Sequence, residues 1–265
     1  NYYSQEANRA YFSVSQLKSF MDCEARTMAE LEGSYERSSS QALLVGGYID
    51  AHFSHGLDLF RAQHPEIYTR TGSLRAEYAQ AEAIIARIER DPLAMRMLSG
   101  DTQRIVTGEI EGQPFKAKLD VLLSGEQCEQ IAEEYPQMGE LLFAPGAIVD
   151  LKIMRDFKPL YREDEGRLNF IEYWRYDLQL AIYQQLVKKE LPCYILAATK
   201  EPVPDIELFR LPQALLDTAY ELGTDKLAHF ALVKAGAIEP ERCGQCDYCR
   251  QTKLLTCGTY PGDWA

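Results

Sequence analysis

The order of the secondary-structure segments constrains the fold of this chain most strongly. Three short segments that are β-branched or alternate in polarity follow residue 100: QRIVTGEI (103–110), PFKAKLDVLL (114–123) and AIVDLKIM (147–154). Turn residues such as Pro145-Gly146 separate them, which is typical of β-strands. A long helical segment at 169–189 and two more strand-like segments, CYILAATKE and DIELFRL, come next. This order predicts a mixed α/β fold of the α+β type, with helices packed on a central mixed sheet and DIELFRL at its edge.

The first hundred residues have helical character. QLKSFMDCEARTMAELEG has a serine before it and ends at Gly33, so it predicts one helix. QALLVGGYIDAHFSHGLDLFRAQ and LRAEYAQAEAIIARIERD predict two more. The Gly46-Gly47 pair costs about 1 kcal/mol per glycine in a helix, so we expect another part of the chain to pack closely there.

We predict one domain over residues 1–265. It would have a helical part at 1–100, a core at 101–210 and a helix with a cysteine motif at 211–265. That last helix is predicted from Pro212 to about Ala235. The segments 124–144 and 155–168 are predicted to be flexible loops.

Composition and charge restrict the class of protein. With 265 residues, 46% of them hydrophobic, the chain can bury a substantial core. No apolar run approaches the ~18 residues of a membrane span, and the first ten residues lack the plan of a signal peptide, so we expect a cytoplasmic protein without membrane contact. The net charge of −12 argues against nonspecific coating of nucleic acid, but it is compatible with carboxylates that hold cations.

Asp150 and Lys152 lie two residues apart in the third predicted strand, so their side chains share one face. An isolated D-x-K of this kind is more often an ion pair on a half-exposed strand than a catalytic site. However, Asp120 ends the preceding strand, and two carboxylates at one sheet end suit magnesium or manganese. Lys152 could then orient a water or stabilise charge at a phosphate. Glu109 is a further acid nearby, for which a solvent-facing role is at least as good an interpretation.

Three other side chains are candidates on predicted helices. Gln179 and Tyr183 are four residues apart and therefore share a helix face. His52 follows the glycine pair in GGYIDAH. Each signal alone is weak, because such spacings are common and a lone helical histidine is more often structural than a ligand.

Taken in order, these residues form a pattern that resembles the PD-(D/E)XK nucleases, and more narrowly their RecB-type and phage RecE-type exonuclease branch. The motifs are G-x-x-x-x-H (Gly47 to His52), K-L-D (Asp120), D-L-K (Asp150, Lys152) and Q-x-x-x-Y (Gln179, Tyr183). The resemblance covers nearly the whole chain, and the ordered set is far more specific than D-x-K alone. One departure is that Leu119, rather than proline, precedes Asp120.

The resemblance implies a four- or five-stranded mixed sheet flanked by helices, and metal-assisted hydrolysis of phosphodiester bonds. It implies that Asp120 and Asp150 hold the catalytic Mg²⁺ or Mn²⁺, that His52 completes the metal shell, and that Lys152 positions or activates the attacking water. Gln179 and Tyr183 would brace the site or contact the DNA backbone.

The resemblance also implies a substrate, namely ends of linear double-stranded DNA digested 5′ to 3′ for recombination. A single-strand annealing recombinase and further copies of the chain are the expected partners. Arg155 and Lys158, in the loop after the D-x-K strand, are candidates for phosphate contact. Two alternatives stay open: a non-catalytic module that binds DNA ends or protein, against which the filled catalytic positions argue, and an endonuclease, for which the sequence shows no extra specificity domain.

The cysteines predict a second metal site. C-G-Q-C-D-Y-C supplies three thiols at the spacing of thiolate ligands, and a seventh cysteine, Cys257, follows. Cys23, in S-x-L-x-x-F-x-x-C, resembles the N-terminal cysteine of iron–sulfur nucleases of the AddB branch. That resemblance implies a [4Fe–4S] cluster on Cys23 and three C-terminal cysteines: either Cys243, Cys246 and Cys249, or Cys246, Cys249 and Cys257. Zinc and free thiols stay open, because the C-terminal spacing differs from that branch. Cys128 and Cys193 are interpreted as ordinary thiols.

Overall fold

The computed structural model describes residues 2–37, 41–163, 165–188 and 190–255. The strands in this part of the chain are β1 (Asp101–Ile110), β2 (Gln113–Ser124), β3 (Gly146–Met154), β4 (Leu160–Arg162), β5 (Gly166–Leu168), β6 (Cys193–Thr199) and β7 (Ile206–Leu211). The first helices are α1 (Gln5–Ala10), α2 (Val14–Asp22), α3 (Glu24–Glu32), α4 (Gln41–Phe53), α5 (Leu57–Gln63), α6 (Ala76–Glu89) and α7 (Pro92–Met97). The later helices are α8 (Gly125–Glu134), α9 (Phe170–Tyr173), α10 (Tyr176–Val187), α11 (Gln213–Thr224), α12 (Leu227–Lys234) and α13 (Asp247–Gln251).

A five-stranded mixed sheet with the order β1-β2-β3-β6-β7 lies at the centre, and β4 and β5 form a separate hairpin. β3 and β6 are parallel, while the other neighbours in the central sheet are antiparallel. The parallel pair requires a crossover, which α10 supplies. This confirms the predicted fold class, and β7 is an edge strand as predicted.

Helices cover both faces of the sheet, so the parallel strands β3 and β6 are largely apolar on both sides. On one face α2, α10, α11 and α12 pack on a cluster that includes Leu119, Ile148 and Ile195. On the other face α4, α6, α7 and α8 pack on a cluster that includes Val149 and Leu196. Every residue of β6 is buried for this reason.

Several predicted helices are interrupted. The first breaks at Cys23, whose extended backbone (φ −168°, ψ 109°) separates α2 from α3, and Gly33 ends α3 in the left-handed region as predicted. The segment at 169–189 is also two helices, because Arg175 at φ 53° separates α9 from α10. Likewise, the predicted second helix divides into α4 and α5, and the helix after Pro212 divides into α11 and α12.

The segment 124–144 is not the flexible loop that we predicted, because it contains α8. Ser124 and Gln127 form a capping box, in which the side-chain oxygen of each accepts a hydrogen bond from the backbone N–H of the other. The S-x-x-Q signal for this helix start is present in the sequence. The other predicted loop, 155–168, holds the whole of β4 and β5.

Only one of the two glycines in α4 is closely packed, although we predicted close packing at the pair. A methyl group added to Gly47 would lie 3.2 Å from the ring of Phe60, whereas one added to Gly46 would meet nothing within 4 Å. Close packing therefore explains Gly47 alone.

Candidate active site

The sheet opens between β2 and β3 at the two aspartates. Their antiparallel pairing runs from Ser124↔Gly146 to Val121↔Val149 and ends there. Asp120 and Asp150 occupy the next position in the same register. At this point the backbone N–H of Leu151 donates to Oδ2 of Asp120 (3.1 Å) in place of a ladder bond. The strands therefore separate where the two carboxylates face each other.

Lys152 lies between these carboxylates. Its Nζ forms an ion pair with Oδ2 of Asp150 and lies 3.9 Å from Oδ2 of Asp120. Asp150 is only 1% exposed. Regular alternation along β3 places Asp150 and Lys152 on the same face, as the sequence predicted.

Helix α10 supplies the polar wall of the site. Nε2 of Gln179 donates to Oδ1 of Asp150 (2.8 Å) and lies 3.2 Å from the hydroxyl of Tyr183. Tyr183 is buried and four residues along the same helix face. The structure thus brings together five predicted residues: Asp120, Asp150, Lys152, Gln179 and Tyr183.

A residue that sequence reasoning missed, Asp50, completes the acidic group. Its Oδ1 accepts a hydrogen bond from Nε2 of Gln103 (2.9 Å) and its charge interacts with Asp150 and Lys152. Gln103 lies opposite Asp120 in the β1–β2 register and has φ 56°, rare for a non-glycine residue. The available signal was that Asp50 is the single formally charged residue in the sequence of α4.

His52 does not join the site, contrary to the prediction. Its Nε2 lies 2.8 Å from Oε1 of Glu89 on α6. Two residues along a helix correspond to a rotation of about 200°, so a side chain two positions after Asp50 points to the other side of α4. The third predicted acid, Glu109, is exposed near the β1–β2 turn, about 20 Å along the strand from the position opposite Asp120.

A second lysine, Lys18 of α2, also faces the site and was missed. Its Nζ donates to the carbonyl of Trp174 (2.9 Å), which the break before α10 leaves available. The Tyr176 ring lies within cation–π distance of both lysines, with its centroid 5.2 Å from Nζ of Lys18 and 5.0 Å from Nζ of Lys152. No sequence pattern singles out Lys18.

Arg155 and Lys158 lie in the loop after β3. Nε of Arg155 donates to Oδ2 of Asp156 (2.9 Å), and its side chain is 80% exposed. The backbone N–H of Lys158 donates to the same carboxylate (3.0 Å), which shapes the loop. Their role as DNA contacts stays a prediction.

Burial and crowding of like charges shift the titration of the acids. Burial, together with Asp150 and Asp50, raises the pKa of Asp120 well above its ordinary value, against the opposing effect of Lys152. Burial also raises the pKa of Asp50. For Lys152, the two aspartates outweigh burial and raise the pKa. Burial and the Lys152 ammonium lower the pKa of Lys18 to about 7.

The donor atoms fit a divalent cation. Oδ2 of Asp150 is buried, and the Lys152 ammonium is its ion-pair partner. Two carboxylates share this one ammonium, and paired carboxylate oxygens at one sheet end are ligands that a hard cation such as Mg²⁺ prefers. Burial, together with the Asp150 and Asp50 carboxylates, raises the pKa of Asp120, and a bound cation would favour its charged form.

The predicted cysteine group also comes together. Single sulfur atoms of Cys23, Cys243, Cys246 and Cys249 all lie within 4.8 Å of one another. Cys23, at the break between α2 and α3, therefore lies beside the three cysteines of the C-terminal motif. Such a thiol cluster is compatible with zinc. The seventh cysteine, Cys257, lies outside the described residues. Cys128 and Cys193 are buried and free.

A mixed sheet that opens at two aspartates and a lysine, braced by a crossover helix, defines a metal-dependent nuclease fold. The sequence profile of the family described as "PDDEXK-like domain of unknown function (DUF3799)" matches residues 13–129 and 138–252. The chain belongs to this PDDEXK-like family, whose nucleases use divalent metals.

One solved structure is similar to this chain over its full length. It is described as the crystal structure of a "putative exonuclease" from Eubacterium rectale, and is 39% identical in sequence with a TM-score of 0.87. The match covers 100% of this chain and 96% of that one. No curated protein matches the chain. Among the described residues, no helix is both long enough and apolar enough to cross a membrane.

Proposed function

We propose that the chain is a metal-dependent exonuclease that hydrolyses phosphodiester bonds from the ends of linear double-stranded DNA, in the 5′ to 3′ direction. The observation that carries the proposal is the opening of the sheet at Asp120 and Asp150 with Lys152 between them. The name of the Eubacterium rectale relative supports exonuclease over other nuclease activities.

Asp120 and Asp150 would hold Mg²⁺ or Mn²⁺, with Asp50 as a third acidic group close by. A bound cation of this kind lowers the pKa of a water and neutralises charge on the scissile phosphate. The hydrogen bond from Gln179 fixes Oδ1 of Asp150, and Oδ2 is ion-paired with Lys152, so a cation would share this carboxylate with the lysine. Tyr183 in turn holds Gln179 in position.

Lys152 is suited to orient the attacking water and to stabilise negative charge at the phosphate. Its pKa is raised by the two aspartates, so it is protonated at neutral pH and acts as a hydrogen-bond donor and positive charge. Its Nζ is within reach of both carboxylates, which sets its position before substrate arrives.

Positive charge for the DNA backbone comes from residues around the site, despite the net charge of −12. Lys18 presents a second amine beside Lys152, held by the Trp174 carbonyl. Its pKa is lowered to about 7, and an approaching phosphate favours the charged ammonium form. Arg155 and Lys158, in the loop after β3, extend this charge outward. These three residues are the proposed phosphate contacts.

The biological setting that we propose is phage-type recombination, in which digestion exposes a single strand for a single-strand annealing recombinase. Further copies of the chain are proposed partners, because the exonucleases that the chain resembles can encircle DNA as rings.

The test is digestion of linear duplex DNA labelled at either 5′ or 3′ ends, by wild type and by Asp150→Asn, which keeps the size of the buried side chain. Closed circular duplex is the matched substrate without ends. We expect Mg²⁺-dependent release of the 5′ label from linear DNA, none from circles, and none with the variant. Circular dichroism of the variant would check its folding.

Other results would redirect the proposal. Cleavage of closed circles would indicate an endonuclease. Absence of cleavage by metal-replete wild type would indicate a non-catalytic module that binds DNA ends or protein. Release of the 3′ label first would reverse the proposed polarity.

A further inference from the structure

The four clustered cysteines bring together parts of the chain that are more than 200 residues apart. Cys23 lies between α2 and α3, while Cys243, Cys246 and Cys249 lie before and within α13. Sγ of Cys23 is 3.6 Å from Sγ of Cys249, which is 3.9 Å from Sγ of Cys243. A disulfide has its sulfurs about 2.05 Å apart, so these are not disulfide distances.

The spacing discriminates between the metals that thiolates bind. Four thiolates around one zinc ion, with Zn–S about 2.3 Å, form a tetrahedron whose sulfurs are about 3.8 Å apart. The two distances above agree with that edge, and all four sulfurs lie within 4.8 Å. In a [4Fe–4S] cluster each cysteine binds a different iron, and the cube of iron and sulfide holds the thiolates farther apart. The cluster is therefore too small for the iron–sulfur group that the sequence resemblance implied.

The surrounding contacts support a bound ion. The backbone N–H of Cys246 donates to Sγ of Cys243 (3.4 Å), an interaction that favours a thiolate. Outside the thiols, the N–H of Ala25 donates to the carbonyl of Glu241 (3.0 Å), and the N–H of Glu241 donates to Oε2 of Glu24 (2.9 Å). These bonds place the C-terminal segment beside Cys23 independently of the sulfur atoms.

Apolar packing alone gives this segment little support. Residues 235–246 form neither helix nor strand, and α13 has five residues. Among the residues that the structure describes, the buried cluster here contains Cys23, Ala25 and Cys249, with Cys246 and Tyr248 at its edge. A structural metal commonly stabilises such a small core.

We propose that Cys23, Cys243, Cys246 and Cys249 bind one zinc ion, tetrahedrally, which fastens the C-terminal segment to the junction of α2 and α3. The site is closed, since all four positions are protein thiolates, so its role is structural and separate from the catalytic metal. The inference does not depend on the proposed nuclease activity.

The first experiment is metal and sulfide analysis of protein that was purified without oxygen or chelators from cells supplied with both zinc and iron. We expect one zinc per chain, no acid-labile sulfide and no visible absorption band. Iron and sulfide in equal amounts would overturn the proposal in favour of a cluster, and a metal-free protein would overturn it in favour of free thiols. The variant Asp120→Asn should keep its zinc, which excludes zinc bound at the catalytic carboxylates.

Variants then assign the ion to these thiols. Cys243→Ser is the variant of choice because Cys243 is exposed and its replacement disturbs no core packing. We expect at least a tenfold loss of bound zinc, whereas Cys128→Ser, a buried thiol outside the group, should keep one zinc per chain. Full zinc retention by Cys243→Ser would overturn the assignment.

Limited proteolysis gives a readout that does not use activity. Removal of zinc from wild type should make the bonds after Arg242 and Arg250 cleavable by trypsin, while the rest of the chain stays intact. Equal cleavage with and without zinc would show that the ion does not fasten this segment.

Discussion

Asp120→Asn tests whether repulsion between the carboxylates of the active site lowers the stability of the protein when no cation is bound. Asp120 and Asp150 share one ion-paired ammonium, Lys152, so these three groups carry a net charge of −1 in the absence of metal. At 3.9 Å the attraction between Asp120 and Lys152 is about 4 kcal/mol at an effective dielectric constant of 20. The raised pKa of Asp120 shows that burial and repulsion by Asp150 and Asp50 outweigh that attraction.

The substitution should therefore stabilise the metal-free protein at pH 8. The folded-state pKa of Asp120 lies above its unfolded value, so the metal-free wild type loses stability as the pH rises from about 4 through the folded pKa. Asparagine removes that loss and keeps an oxygen for the N–H of Leu151. Below pH 4 the difference between the two proteins should shrink.

The same substitution should abolish stabilisation by Mg²⁺. At 100 times its dissociation constant, a ligand stabilises the wild type by about 2.7 kcal/mol. For a chain of this size that corresponds to a rise in melting temperature of roughly 5–10 °C. With one carboxylate replaced, we expect less than about 2 °C at the same Mg²⁺ concentration.

The assay is thermal unfolding followed by circular dichroism, after dialysis into buffer without Mg²⁺, at pH 5 and pH 8. The matched control is Asp58→Asn, which removes an exposed carboxylate from α5 and should behave as wild type. The reasoning is refuted if Asp120→Asn keeps the full Mg²⁺ response, or if it is less stable than wild type without metal at pH 8.

Four further predictions follow from the contacts. Asp50→Asn should weaken Mg²⁺ binding about 10–100-fold in calorimetry, the usual effect of losing a residue that supports a metal site. His52→Gln should leave Mg²⁺ binding unchanged. The reverse result would support the sequence-based choice of His52 as the metal ligand. Mg²⁺ affinity should rise from pH 5.5 to pH 8, because burial raises the pKa of Asp50 and Asp120 and protons compete with the cation at low pH. A flat profile would contradict these shifts. Lys18→Met should weaken duplex binding and reduce the salt slope by about 1 while Mg²⁺ affinity stays unchanged; an unaltered slope would exclude Lys18 as a phosphate contact. In urea unfolding, Gly46→Ala should stabilise by about 1 kcal/mol because its added methyl meets open space. Gly223→Ala should destabilise the protein by about 1–3 kcal/mol because its methyl group would lie 2.3 Å from Leu178. If Gly46→Ala and Gly223→Ala changed the free energy of unfolding equally, the packing described at these glycines would be wrong.

Local patterns were sufficient for the parts of the site that lie on regular elements. Asp150 and Lys152 share a face because a strand alternates every second residue, and Gln179 and Tyr183 share a face because a helix repeats about every 3.6 residues. The order of the strand segments along the chain and the edge position of DIELFRL also followed from polarity and turn residues. These features depend on neighbouring residues in the chain, so the sequence alone determines them.

The helix breaks could not be predicted from propensity. At Cys23 the extended backbone interrupts a segment with clear helical spacing, and it turns the thiol toward cysteines more than 200 residues away. Arg175 similarly interrupts the later helix and leaves the Trp174 carbonyl to accept from Lys18. Each break is associated with contacts from distant parts of the chain, which local sequence does not contain.

The choice between Asp50 and His52 shows the same limit most clearly. Both follow the glycine pair of α4, and resemblance favoured the histidine as the metal ligand. Tertiary structure decided otherwise, because the rotation of α4 on the sheet directs Asp50 to Gln103 and the acidic site, and directs His52 to Glu89. Sequence determines which residues lie on which side of a helix, but packing between helix and sheet determines which side meets the site.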